Sequence, residues 1–236
     1  EVRPMSRLRL IVTLSLAALA ACSPADAADA DHPVVVELFQ SQGCSSCPPA
    51  NANLNAIAGR PDVLALSFSV TYWDRLGWKD TFAHPRFTQR QWDYAKAGGR
   101  GNVSTPQMIV NGRGVLIGHR PDEVAAFIRR FDRGTSGPTV AYGNGRIRVG
   151  AMKAAKPATV WLVRYDSRTH NVPIRAGENG GRTLPHKNIV RALDRLGRWT
   201  GAPASFALPA SPDPAWRGAV IVQQGSGGPI IAARRI

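Results

Sequence analysis

The chain has 236 residues, of which 44% are hydrophobic, and a formal net charge of +14. About 205 residues follow the N-terminal segment described below, which suffices for one large domain or two small ones with a packed core. The charge is uneven, with a net of +4 over residues 32–137 and +11 over residues 138–236. The basic residues are scattered and match no nucleic-acid-binding motif, so we expect a solvated basic surface and no nucleic-acid partner.

Residues 1–31 have the features of an export signal. Arg7 and Arg9 form a positive region before the apolar run Leu10–Ala21, which is shorter than the roughly 20 residues that a membrane span needs. The run ends in Leu19-Ala20-Ala21-Cys22, which resembles a bacterial lipobox. Cleavage before Cys22 would leave that cysteine lipidated and would anchor the protein in the outer membrane.

Two A-x-A sequences, Ala25-Asp26-Ala27 and Ala28-Asp29-Ala30, provide an alternative cleavage site. Cleavage there would release a soluble periplasmic or secreted protein without a lipid anchor on Cys22. Both alternatives predict an exported protein, and both remove Cys22 from any redox chemistry of the mature chain.

The first half of the mature chain alternates predicted strands and helices in the order of the thioredoxin fold. Short apolar runs predict buried strands, and apolar residues at helical spacing, ended by Gly or Pro, predict helices. An Asn-Gly pair predicts a hairpin between the third and fourth strands. In chain order the elements are Val34–Gln40, Ala50–Gly59 (helix), Val63–Val70, Pro85–Ala97 (helix), Gln107–Asn111, Val115–His119 and Pro121–Phe131 (helix).

The stretch Gly43–Pro49 places Cys44 and Cys47 between the first predicted strand and the first predicted helix. A Cys-x-x-Cys pair in this position is typical of a thioredoxin-type redox site. The partial positive charge of a helix N-terminus stabilises a thiolate, and the short spacing lets the second thiol resolve a mixed disulfide. Because Ser45 and Ser46 add no positive charge, we expect a moderate redox potential whose direction stays open.

Three other interpretations of the cysteine pair remain. A purely structural disulfide is one, because an oxidising compartment would close the pair. A zinc site would need two further ligands, and neither Cys22 nor the five histidines show a suitable spacing. A copper(I) carrier would be expected to have a Met or His cluster, which the sequence lacks. We therefore predict no metal and no cofactor.

A Gly- and Pro-rich stretch, Gly134–Pro138, predicts a linker between two domains. The predicted domains are residues 32–133, an α/β domain, and residues 138–236, a smaller one. Short strands separated by turns predict a mainly antiparallel, sandwich-like second domain. Its predicted elements are Val140–Tyr142, Arg146–Val149, Ala158–Tyr165, a helix over Asn188–Leu196, Val220–Gln224 and Pro229–Ala233.

Several segments resemble a bacterial family of exported, thioredoxin-like proteins that is carried as a domain of unknown function. They are Glu37–Ala50, Tyr72–Asp74 with Gly77–Asp80, Thr105–Met108 and Gly177–Leu184. The resemblance spans most of the mature chain and implies export and a thioredoxin-like domain at residues 32–133. It implies little about the reaction, because the family has no assigned activity. More distantly, the first half is similar to thioredoxins and periplasmic disulfide oxidoreductases.

That wider similarity implies catalytic roles for five residues. Cys44 would be the exposed nucleophile and Cys47 the resolving thiol. Pro106 would match a proline that is cis in that superfamily and lies against the disulfide, and Thr105 would offer its backbone to a substrate. Glu37 would accept a proton from the resolving thiol. Two alternatives stay open: a strand-start proline without function, and a solvent-facing Glu37, because thioredoxins place an Asp one position closer to the first cysteine.

Two further segments are candidates for substrate contact. The aromatic side chains Tyr72, Trp73 and Trp78 lie in a long connection and are predicted either to wall a substrate cleft or to form a small satellite core. The Gly-rich loop Gly177–Leu184 does not match a phosphate-binding loop. Its position relative to the cysteines is not readable from the sequence.

These observations predict an exported thiol–disulfide oxidoreductase that acts on protein disulfides of the cell envelope, with an unidentified redox partner. Cys44 would attack, Cys47 would resolve, and the second domain would orient a protein substrate. The alternative is a non-enzymatic envelope binding protein. In that case the Cys44–Cys47 bridge is a structural staple, and the aromatic segment and basic second domain bind a ligand or partner.

Overall fold

The computed structural model describes residues 27–153 and 156–236. These residues contain three α-helices and thirteen strands. The expected lipidation site, Cys22, lies outside these residues. The helices are α1 (Pro48–Ile57), α2 (Pro85–Ala97) and α3 (Pro121–Arg130), with a short 3-10 turn over Asp74–Leu76. The strands are β1 (Val34–Gln40), β2 (Val63–Ser69), β3 (Gln107–Val110), β4 (Gly114–Leu116), β5 (Val140–Gly143), β6 (Arg146–Val149), β7 (Ala158–Asp166), β8 (His170–Pro173), β9 (Thr183–His186), β10 (Ile189–Trp199), β11 (Ala204–Ala207), β12 (Trp216–Gln224) and β13 (Ile230–Arg235).

Eight of these strands form one mixed sheet in the order β13-β12-β7-β10-β2-β1-β3-β4. β1 and β2 are parallel, as a helical crossover requires, whereas β3 runs antiparallel to β1 and forms a hairpin with β4. β10 pairs with the other edge of β2, and the sheet continues antiparallel through β7, β12 and β13. Strands from both sides of residues 134–138 therefore share one sheet. A division into two folding units at that point stays a prediction.

The interior strand β1 distributes its side chains between the two faces of the sheet. Val36 and Leu38 pack with α1 and α3 on one face, and Val35 and Phe39 pack with α2 on the other. Because side chains alternate along a strand, Glu37 lies on the α2 face with Val35 and Phe39. This alternation decides which of the predicted site residues can approach α1.

Two smaller sheets accompany the large one. Strands β5, β6 and β11 form a three-stranded sheet whose apolar residues share a core with those of β7 and β12. Strands β8 and β9 form a hairpin. This hairpin lies beside α1, since Asn51 Nδ2 and Asn55 Nδ2 donate to the carbonyl oxygen of Pro185 at 3.1 and 2.9 Å. The connection between β8 and β9 is thereby held near the N-terminal end of α1.

The helix predicted over Asn188–Leu196 is wrong, because this segment belongs to the strand β10. It pairs with β7 along its length and with β2 at its first residue. Bulges between Val190 and Ala192 and between Arg195 and Gly197 shift the alternation of its side chains. The other predicted elements are present, with ends that differ by a few residues. No helix within residues 27–153 and 156–236 is long and apolar enough to cross a membrane.

Candidate functional site

Cys44 and Cys47 form a disulfide in the turn between β1 and α1. Their Cα atoms are 5.4 Å apart, and the Cys47 N–H donates to the Cys44 carbonyl oxygen at 3.2 Å. Cys47 occupies the N-cap position of α1, and Pro48 and Pro49 fill the first two helical positions. Because proline has no N–H, this helix start has fewer free donors than an ordinary one. The backbone N–H groups close to Cys44 are therefore those of the turn, residues 45–47, and not those of the first helical positions.

Both cysteines are buried, with Cys44 0% and Cys47 2% exposed. The expectation of an exposed Cys44 is therefore wrong in this structure. The two serines between them are exposed, so the turn reaches the surface while its sulfur atoms do not. Ser46 Oγ lies 3.3 Å from Cys44 Sγ. A hydroxyl at this position can donate a hydrogen bond to a thiolate, which favours the charged form.

The Gly-rich loop between β8 and β9 covers the cysteine turn. The fully buried Asn179 donates its side-chain amide to the carbonyl oxygens of Gln42 and Cys44, at 2.9 and 2.8 Å. Arg182 Nη1 donates to Asn179 Oδ1 at 2.7 Å and holds the amide in this orientation. The loop thus satisfies two carbonyl groups of the turn that carries the first cysteine.

Glu178, the preceding residue of the loop, binds the residue that follows Cys44. Its Oε2 accepts hydrogen bonds from Ser45 Oγ at 2.7 Å and from Ser45 N at 3.0 Å. The hydrogen bonds from the Ser45 side chain and backbone hold the pKa of Glu178 below its usual value. At neutral pH the Glu178 carboxylate is therefore negatively charged, and it is bound to the Ser45 N–H next to Cys44.

The aromatic segment 72–80 contacts the cysteine turn, the proline loop and the Gly-rich loop. Trp78 Nε1 donates to Gln42 Oε1 at 2.9 Å, and Trp73 Nε1 donates to Thr105 Oγ1 at 2.7 Å. The aromatic segment and the Gly-rich loop also meet at Gly177, where an added Cβ would lie 3.3 Å from the Trp78 Cβ. The aromatic segment thus connects the cysteine turn with the proline loop and the Gly-rich loop.

Tyr72 and Trp73 also pack against the core on the α2 face of the sheet. The Tyr72 hydroxyl donates to Gln91 Oε1 at 3.2 Å, and burial raises the pKa of Tyr72 to about 12. Of the two roles predicted for the aromatic side chains, this packing favours the satellite core for Tyr72 and Trp73. Trp78 is half-buried and is bound to the cysteine turn instead.

The Thr105–Pro106 peptide bond is cis, as the resemblance implies. β3 pairs with β1 so that Gln107 lies opposite Phe39. Pro106 therefore lies beside the end of β1 from which the cysteine turn starts. Pro106 is buried, and the half-buried Thr105 accepts a hydrogen bond from a tryptophan side chain through its hydroxyl oxygen.

Glu37 is not brought to the cysteines. Its carboxylate is bound by Arg90 Nε at 2.6 Å, by Arg90 Nη2 at 3.2 Å and by the Tyr94 hydroxyl. Arg90 Nη1 also donates to Gln223 Oε1 at 3.1 Å. Glu37 lies on the face of the sheet opposite α1, so it ties β1 to α2 and β12. The alternative of a solvent-facing Glu37 is wrong, since the residue is 0% exposed.

Asp80 is a buried acid bound to the backbone just before the cysteine turn, and it is not among the residues that the sequence predicts for the site. Its carboxylate accepts from the backbone N–H groups of Gln42 and Phe82, both at 2.8 Å. Burial raises the pKa of Asp80 to about 6. Its place in the segment Gly77–Asp80, which resembles the exported family, was the signal that could have found it.

A cavity of about 480 Å³ lies away from the disulfide, beside α2 and β10. Its lining includes Arg86, Arg90, Trp161 and Asp194, and neither cysteine contributes to it. Over the described ranges 27–153 and 156–236, no three His, Cys, Asp or Glu side chains converge as metal ligands would.

The chain matches a family model described as "Protein of unknown function (DUF1223)" over residues 35–223. The match includes the cysteine turn, the proline loop and the Gly-rich loop. No curated protein matches the chain.

Solved structures with a similar fold include a crystal structure of a protein from Agrobacterium tumefaciens. It is 33% identical in sequence, with a TM-score of 0.71 over 89% of this chain and 94% of that one. HBP35 of Porphyromonas gingivalis is 16% identical, with a TM-score of 0.59 over 87% of this chain and 75% of that one. The second likeness shows a similar fold alone.

Proposed function

The chain belongs to the DUF1223 family of proteins of unknown function, and we propose that it is an exported thiol–disulfide oxidoreductase. The observation that carries this proposal is the Cys44–Cys47 disulfide in a strand-to-helix turn. The cis Thr105–Pro106 bond at the end of the neighbouring strand adds support. A two-residue spacing at a helix start is the arrangement in which one thiol attacks and the other resolves.

The surroundings of the pair support a thioredoxin-like assignment for residues 32–133. Strands β2, β1, β3 and β4 are neighbours in that order, with β3 antiparallel to β1. α1 and α3 pack on one face and α2 packs on the other. This is the order expected of a thioredoxin-like unit, to which β10 adds the strands of the second half through its pairing with β2.

The proposed reaction transfers two electrons between the cysteine pair and a protein substrate. The Cys44 thiolate attacks a substrate disulfide, whose S–S bond breaks as a mixed disulfide forms, and the departing substrate sulfur takes a proton. The Cys47 thiolate then attacks Cys44 Sγ, releases the second substrate thiol and closes the Cys44–Cys47 bond. The reverse sequence oxidises a substrate dithiol. Thr105 would hold the substrate backbone beside the pair.

The proposal places the protein in the cell envelope. It is supported by the export-signal features of residues 1–31, with lipidation of Cys22 or A-x-A cleavage as the two routes. Its partners would be envelope proteins with thiols or disulfides and a redox protein that restores the pair.

A second candidate function is a non-enzymatic envelope binding protein, and the burial of both cysteines favours it. A disulfide without an accessible sulfur resists attack by thiols and suits a structural staple. The cavity beside α2, with Trp161 and the charged side chains Arg86 and Asp194, would then be a place for a ligand.

Two single substitutions separate the two candidates. We expect a Cys47→Ser variant to accumulate mixed disulfides with envelope proteins, because nothing is left to resolve the bond at Cys44. A Cys44→Ser variant should accumulate none, and it is a matched control because it loses the same disulfide. The readout is non-reducing electrophoresis after acid quenching, with mass spectrometry of the bands that dithiothreitol releases. Equal trapping by both variants would contradict the proposal.

A further inference from the structure

We propose that residues 176–182, the tip of the Gly-rich loop, form a lid over the Cys44–Cys47 pair, and that the charge of Glu178 couples closure of this lid to the redox state of the pair. The inference rests on the proposed function, since it concerns a disulfide that is reduced and formed again. The role of the loop would be to control access to the disulfide, which is separate from the exchange reaction of the cysteines.

The lid is held to the cysteine turn by contacts of two kinds. Asn179 makes neutral hydrogen bonds, since its amide donates to the carbonyl oxygens of Gln42 and Cys44. Glu178 makes charged ones, since its carboxylate accepts from Ser45 N and Ser45 Oγ. The second kind involves a full negative charge, so a new negative charge on a cysteine sulfur repels it.

The base of the lid is closed by two backbone hydrogen bonds, Ile174 N to Arg182 O and Gly181 N to Ile174 O, both 2.8 Å. Gly177 and Gly181 flank the tip with φ angles of +73° and +81°, a backbone region that glycine enters without strain. The middle of the lid, residues 176–180, can therefore move at Gly177 while Gly181 and Arg182 stay paired with Ile174.

Reduction changes the charge beneath the lid. A dithiol reductant breaks the Cys44–Cys47 bond, forms its own disulfide, and delivers two electrons and two protons to the pair. Loss of the proton from Cys44 leaves a thiolate, which is an acceptor for the same backbone N–H groups of the turn. Glu178 already occupies the Ser45 donor, so carboxylate and thiolate compete for it and repel each other.

A coupling of this kind acts in both directions. If a reduced, ionised Cys44 disfavours the closed lid, the closed lid equally disfavours the reduced form and stabilises the disulfide. The burial of both cysteines then belongs to the oxidised, closed form, and reduction exposes the nucleophile that a substrate must reach. The other charged groups close to the turn, Arg182 and Asp80, are bound to Asn179 and to the Gln42 backbone respectively, whereas Glu178 binds Ser45 directly.

The test uses Glu178→Gln in the mature chain, because glutamine keeps the shape and an acceptor oxygen but removes the charge. We expect the equilibrium constant for reduction by dithiothreitol to rise about two- to fivefold over the unaltered protein, the range for one charge at a helix start. The difference should shrink in about 1 M salt, as a charge effect does and a packing effect does not. Glu123→Gln, at a partly exposed acid in the first turn of α3 that pairs with Arg120, is the control and should leave the equilibrium constant for reduction unchanged.

Hydrogen exchange of residues 176–182 gives the second readout. We expect faster exchange in the reduced than in the oxidised protein, and a smaller redox difference in Glu178→Gln. Unchanged equilibrium constants in the variant, or lid exchange that ignores the redox state, would overturn the inference. Dithiothreitol reduces a structural disulfide as well, so the value for the unaltered protein tests the proposed function, and the difference between variant and unaltered protein tests the lid.

Discussion

Three carboxylates lie in three different environments around the first strand and the turn that follows it: those of Glu37, Asp80 and Glu178. Glu37 is buried against Arg90, Asp80 is buried on backbone N–H groups, and Glu178 is exposed on the Ser45 donors. The first is a structural ion pair, the second titrates near pH 6, and the third stays charged at neutral pH. Residue type alone did not separate these roles, because each depends on a partner far away in the chain.

Asp80 predicts a measurable pH dependence of stability. Burial raises its pKa from 3.8 to about 6 in the folded protein. The folded protein therefore binds more protons than the unfolded chain between about pH 4 and pH 6. The contribution of Asp80 to stability is fully present below pH 4 and is lost as the pH rises through 6. The loss that corresponds to this change in pKa is on the order of 3 kcal/mol.

We expect the free energy of unfolding of the unaltered protein to fall relative to Asp80→Asn as the pH rises from 4 to 7, measured by urea unfolding. The comparison is needed because burial lowers the pKa of His186 to about 4. His186 makes stability rise with pH in the same window, since the unfolded chain binds the extra proton there. A constant difference between the two proteins across this range would show that Asp80 is not the buried acid described here.

At the residue scale, the sequence predicts contacts between residues that are close together in the chain. Cys44 and Cys47 are three positions apart, and the turn between strand and helix follows from the residues around them. The contact of Glu178 with Ser45 spans 133 positions, and no spacing rule links such residues. The resemblance marked the segment that contains Glu178 without placing it over the cysteines.

At the scale of elements, the buried Arg90 predicts a large loss of stability when it is removed. It joins α2 to β1 through Glu37 and to β12 through Gln223. We expect Arg90→Met to lower the free energy of unfolding by about 3–5 kcal/mol, because it leaves a buried carboxylate without its cation.

The control for this prediction lies one turn away on the same helix. Arg86 is exposed and pairs with an exposed aspartate, Asp194, so Arg86→Met should change stability by less than about 1 kcal/mol. Urea unfolding at pH 7 measures both variants. Similar losses for the two variants would contradict the role of Arg90 in joining α2 to β1 and β12.

The sequence predicts a helix or strand correctly where its apolar residues follow a single helical or strand periodicity. Pro85–Ala97 shows a helical pattern with a proline at its start, and the helix has those bounds. The helix prediction for β10 fails because Ile189, Val190 and Leu193 recur at a helix-like spacing, and the bulge between Val190 and Ala192 lets a strand bury residues at that spacing. A bulge changes the phase of a strand without a local mark, so only the pairing with β7 identifies it.

At the scale of the whole molecule, the sequence indicated two units, and the structure joins strands of both into one sheet. The join is the pairing of β2 with β10, where Ile189 lies opposite Ser67. Local periodicity carries no information on such a contact, whereas the Gly- and Pro-rich stretch 134–138 does mark a break in the pattern. The same long-range folding brings the loop between β8 and β9 over the cysteines, so the candidate site is complete only in the whole chain.

The most direct test of the proposed thiol–disulfide exchange is an equilibrium of the mature protein with glutathione at a series of redox ratios. The thiols of Cys44 and Cys47 are trapped at each ratio and counted by mass spectrometry. We expect a reversible two-electron couple between about −120 and −270 mV, the range of thiol–disulfide exchange catalysts. A disulfide that stays closed below about −300 mV would contradict it and would assign the Cys44–Cys47 bridge to structure.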